Sequence, residues 1–81
     1  MNILIRFNNC TVPLGMINKD NVYSIPDIFI IEVDGIDSDE IPNSIGYAKK
    51  KDDKYIDMEC YFGDGSKEIV ESTINVINNL L

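Results

Sequence analysis

The segment DIFIIEVD, residues 27 to 34, limits the fold more than any other part of this chain. Period-two alternation puts Phe29, Ile31 and Val33 on one face and Ile28, Ile30, Glu32 and Asp34 on the other, so its first half is apolar on both sides. A rim strand with one wetted face alternates more cleanly, so this strand belongs inside a sheet with neighbours on both sides. Pro26 marks its start.

The remaining segments supply those neighbours. NILIRF, residues 2 to 7, alternates with Ile3, Ile5 and Phe7 on one face, and Asn8 and Asn9 follow as residues that tolerate the left-handed backbone of a tight turn. Pro13 and Gly15 confine the next segment, residues 10 to 17, to an edge or make it irregular. NKDN, residues 18 to 21, reads as a polar turn. Residues 44 to 62 read as a hairpin with Asp52 and Asp53 at the tip. That register pairs Lys49 with Ile56, Tyr47 with Met58 and Ile45 with Cys60 on one apolar face, leaving Ala48, Tyr55, Asp57, Glu59 and Tyr61 on the other.

Beyond Gly63 and Gly65 the apolar period changes to that of a helix. Val70, Thr73, Ile74, Ile77, Leu80 and Leu81 recur at three and four residue spacing, with Ile69 and Val76 widening the stripe and Asp64 or Ser66 as the cap. The expected fold is α+β: a small antiparallel β-sheet of about four to five strands with one C-terminal α-helix packed on one face, residues 1–81 forming a single domain.

Charge then restricts the partners. Fourteen acidic residues stand against seven basic ones, a net charge of -7 on 81 residues. Such a surface repels phosphate backbones and anionic lipid and favours a basic protein, so neither direct nucleic-acid binding nor membrane binding is expected. No apolar run approaches the ~20 residues of a membrane span, and Met1 is followed by a polar strand-like segment without a signal-peptide pattern. Cys10 and Cys60 read as reduced, buried thiols of a cytoplasmic protein.

Most catalytic and metal chemistries lack their parts. The chain has no histidine, which removes Ser-His and Cys-His nucleophilic systems, and its two cysteines form no CxxC pair for zinc. EVDGIDSDE, residues 32 to 40, holds five carboxylates but misses calcium-loop spacing, because Gly35 would be sixth only with Ile30 first. GDGSK, residues 63 to 67, lacks phosphate-loop spacing. Neither a cofactor nor a metal is expected. The surviving catalytic arrangement is Asp57 with Glu59, two apart on a strand and so on one face.

The functional expectation is a small acidic, non-enzymatic binding protein. Its partner surface combines Ile28, Ile30, Tyr55 and Tyr61 with Glu32, Asp34, Asp57 and Glu59 on the sheet face away from the helix, together with Asp37, Asp39 and Glu40 in the acidic loop. Apolar anchors rimmed by carboxylates suit a basic protein target, such as a nuclease or another nucleic-acid-binding protein. Carboxylates presented where phosphates would lie would make it a nucleic-acid mimic, and in length, charge and lack of motifs the chain resembles the small inhibitors that viruses and mobile elements use against host nucleases, anti-CRISPR and antirestriction proteins among them. The alternatives are an immunity protein neutralising a toxin, a homo-oligomeric structural subunit (a homodimer being the simplest), and a carboxylate-based enzyme.

Overall fold

The structure is a computed structural model. It describes residues 2–34, 43–60 and 63–81, with side chains at all of these except 43, 59, 60 and 63–65. Five strands, β1 (Asn2–Phe7), β2 (Cys10–Pro13), β3 (Ile28–Asp34), β4 (Asn43–Lys51) and β5 (Lys54–Cys60), form an antiparallel sheet in the order β2-β1-β3-β4-β5, followed by one helix, α1 (Gly63–Leu80). The fold is α+β, as the periodicities require, and DIFIIEVD lies at the centre of the sheet.

Both tight hairpins turn on pairs of residues with positive φ. Asn8 and Asn9 have φ 50° and 62°, and Asp52 and Asp53 have φ 52° and 70°. Left-handed backbone at both central positions gives the turn whose twist matches that of the flanking strands, and asparagine and aspartate adopt it at least cost after glycine. NKDN closes on itself as expected: the Asn18 side chain accepts from the amides of Asp20 and Asn21, and Asn21 Oδ1 accepts from the Asn18 amide.

One core lies between the sheet and two coverings. The helix packs closest to β5 and β4 and contributes Val70, Ile74 and Ile77. The irregular segment after β2, with short 3-10 turns at Leu14–Met16 and Val22–Ser24, contributes Ile17, Val22 and Ile25, and its first turn rests on β1. Between them, Ile5, Phe29, Ile31 and Val33 are nearly inaccessible. Burying side chains of this size stabilises the fold by about 1.5–3 kcal/mol each before conformational entropy is subtracted.

Two bulges interrupt the sheet, the first of them in the hairpin whose register the sequence predicts. The β5 pairing runs as expected from Lys51↔Lys54 to Ala48↔Asp57, then slips, so that Tyr47 faces Glu59 and Gly46 faces Cys60, with Met58 as the extra residue. A second slip, between Ile31↔Gly46 and Glu32↔Ser44, makes Ile45 the extra residue of β4. A bulge breaks strict alternation and redirects the inserted side chain. Ile45 therefore joins the core alongside Ala48.

Three local expectations are corrected. The helix begins at Gly63, so Ser66 lies in its first turn and not at its cap, and Val76 is exposed at the margin of the apolar stripe. Cys10 is a free, exposed thiol, not a buried one. It belongs to the first strand across the sheet and Cys60 to the last, four interstrand spacings or roughly 19 Å apart, beyond the reach of a disulfide.

Candidate functional site

The bulge at Ile45 decides which hairpin face meets the helix. With Ile45 already turned inward, Ala48 and Tyr55 complete the covered face, while Tyr47, Lys49 and Ile56 fall on the uncovered one. Tyr55 is therefore not on the partner-facing surface expected for it: it is buried, 2% exposed. Its ring meets Phe29 edge-on at 4.9 Å, and the Lys50 ammonium lies 5.8 Å from the ring centre. The Tyr55 hydroxyl donates to the carbonyls of Pro26 (2.6 Å) and Ile25 (3.1 Å). Burial, and secondarily the charge of Asp27, raise the pKa of this hydroxyl above 10.0.

Tyr55 is also tied to the helix through its main chain. Its amide donates to Asn78 Oδ1 at 2.8 Å, and its carbonyl accepts from Asn78 Nδ2 at 2.9 Å. One side-chain amide thus satisfies both backbone groups that Tyr55 turns away from β4. Beyond this clasp, a cavity of about 330 Å³ opens between β5 and α1, lined by Tyr55, Ile56, Asp57, Glu71, Ile74, Asn75 and Asn78. Of these, Asp57 and Glu71 are exposed and Ile74 is buried.

The uncovered face keeps part of the expected surface. Ile28, Lys49 and Ile56 align across β3, β4 and β5, with Ile28 51% and Ile56 40% exposed. Ile30 is half-buried beside Arg6 and Tyr47. Glu32, expected to face a partner, is 4% exposed between Leu4 and Ser44. Its Oε2 lies 3.7 Å from the Arg6 guanidinium and 3.4 Å from the Ser44 hydroxyl, so its charge is directed into the sheet surface. Asp34 is half-buried, with Oδ1 enclosed and unbonded among the described residues.

Of the carboxylate pair proposed from alternation, only the Asp57 side chain lies among the described ones; that of Glu59 lies outside them. In register Asp57 stands opposite the buried Ala48, and the bulge follows before the next pair, Tyr47 with Glu59. Asp37, Asp39, Glu40 and Tyr61 lie outside the described residues. Among the described residues no group of three or more metal-ligating side chains comes together, and no helix is long and apolar enough to cross a membrane.

Sequence reasoning missed Glu71, Asn75 and Asn78. They carried a signal: asparagine favours helix interiors poorly, so Asn75 and Asn78 beside an apolar stripe suggest work for their amides. No family model, curated protein or solved structure matches this chain.

Proposed function

We propose that this chain is a small, non-enzymatic cytoplasmic protein that occupies a basic, nucleic-acid-binding site on another protein and inhibits it by displacing the nucleic acid. The observation that carries the reading is the state of the carboxylates. Asp20, Asp27, Asp52, Asp53, Asp57, Glu68 and Glu71 are exposed, while among the described residues one ion pair is found, Arg6 with Glu32. Uncompensated carboxylates at the surface attract a cation-rich partner and stand where phosphates would lie. A toxin nuclease bound by an immunity protein is a special case of the same electrostatics.

The test is capture by the immobilised chain from a lysate of the cells that make it. The expected result is retention of nucleic-acid-binding proteins that are released by raising salt from about 50 to about 500 mM, and by excess duplex DNA at constant salt. Retention indifferent to both treatments overturns the reading.

The exposed row Ile28, Lys49 and Ile56 favours a second reading, self-association through the uncovered face. Light scattering separates the two: this reading requires a mass of two chains that returns to one in Ile28→Lys.

A further inference from the structure

We propose that the β5 edge is a strand-addition site, at which an extended basic segment of the partner pairs antiparallel with β5 as a sixth strand. This rests on the basic-partner reading above and adds the mode of contact. β5 ends the sheet, so the main-chain groups it turns away from β4 face outward. Asn78 reveals their direction, because its carboxamide gives Tyr55 the acceptor and donor that a facing strand residue would supply. Alternation turns the amide and carbonyl of Asp57 the same way, and there the edge opens onto the 330 Å³ cavity. The structure thus contains one amide docked on the edge and room beside it for the next.

The lining selects the occupant. Its titratable groups are Tyr55, Asp57 and Glu71, with no cation among them, and Ile74 offers apolar contact. A second copy paired about a two-fold axis would bring Asp57 and Glu71 toward their equivalents, and facing like charges oppose such a sheet. A lysine or arginine on the added strand instead meets two carboxylates while its main chain pairs with Asp57.

The experiment uses the full chain and a fluorescein-labelled nonapeptide of alternating lysine and valine with blocked ends. In an antiparallel sixth strand whose lysines lie on the helix side, the lysine backbone amides point at β5 and the valine amides point away. Backbone N-methylation of the lysines is therefore expected to weaken binding at least about tenfold, and N-methylation of the valines less than about twofold. Asp57→Asn combined with Glu71→Gln is expected to weaken the parent peptide at least about fivefold. Amide NMR shifts should centre on Asp57 and the Asn78 side chain.

Equal affinity of the two methylated peptides, shifts centred on Ile28, or no binding of the parent peptide overturns the edge site. A doubled mass with the Asp57 shift following protein concentration alone assigns the edge to a second copy and also overturns it. None of these outcomes changes the salt and DNA release of a captured protein, so the edge site and the basic-partner reading fail separately.

Discussion

The two edges of the sheet solve one problem in opposite ways. An edge strand leaves main-chain donors and acceptors unpaired and invites other chains. β2 meets this with brevity: it has four residues and ends at Pro13, which has no amide to donate, before the chain turns away at Leu14. β5 has seven residues, a bulge at Met58, and a helix side chain fastened to Tyr55. One edge is kept too short to be a template. The other is structurally committed at Tyr55 and open at Asp57, which is why a binding role is assigned to it.

The largest test of this contrast is truncation of the principal side chain at each edge. Tyr55→Ala empties a buried aromatic site and removes the hydroxyl bonds to Ile25 and Pro26, with an expected loss of about 3–5 kcal/mol. Val12, half-buried on β2, should cost only about 1 kcal/mol as alanine. Urea unfolding of both variants measures the difference, and equal losses would mean that the edges are anchored alike.

Next in size is the clasp itself. Asn78→Ala leaves the Tyr55 amide and carbonyl without their partner, an expected loss of about 1–3 kcal/mol. It also lengthens the open edge, so the variant should self-associate more at high concentration, read as a rise in scattered mass. Asn78→Asp should fall between: its carboxylate still accepts from the amide but opposes the carbonyl. A variant as stable and monomeric as the parent would show that the clasp neither holds nor protects the edge.

How much of this could be read beforehand follows from what alternation can and cannot carry. The central position of β3, the turns at Asn8 and Asn9 and at Asp52 and Asp53, and the C-terminal helix each rest on local preferences that the backbone obeys. Alternation pairs the hairpin correctly near its tip, at Lys49 with Ile56, yet places its two faces the wrong way round. Counting Ile45, Tyr47 and Ile56 as one apolar face made that side the natural core. The bulge moved Ile45 to the opposite side, and Ala48 with Tyr55 went inward. A single inserted residue has no signature in hydrophobic spacing, because it changes the phase without changing the composition. Glu32 departs from expectation for a related reason: a carboxylate on an uncovered face is expected to be wet, but Leu4, Arg6 and Ser44 close around this one.

A smaller effect separates the Tyr55 hydroxyl from its ring. Tyr55→Phe keeps the contact with Phe29 and should cost about 1 kcal/mol at neutral pH. Its pH dependence has a definite sign. Since burial and Asp27 raise the folded pKa above 10.0, the hydroxyl is neutral in both states below that value and its contribution is complete. As pH rises further, the unfolded chain releases a proton that the folded chain retains, so stability falls until the folded group also ionises. Unfolding free energy from neutral pH to about pH 11 should decline more steeply in the parent than in Tyr55→Phe; parallel declines would mean that the buried hydroxyl does not contribute to the alkaline limb.

The smallest effect belongs to the other edge and completes the contrast. Cys10 opens β2, faces Phe7 in register, and is exposed. A side chain with few contacts can be changed without consequence, so Cys10→Ser should shift stability by less than about 0.5 kcal/mol. The same exposure predicts that a thiol reagent labels Cys10 in the folded chain about as fast as in denaturant, once the rates are compared at one pH. Protection of Cys10 by the fold would mean that β2 is covered, and the short edge would then owe its solubility to burial, with Pro13 and early termination no longer sufficient as the explanation.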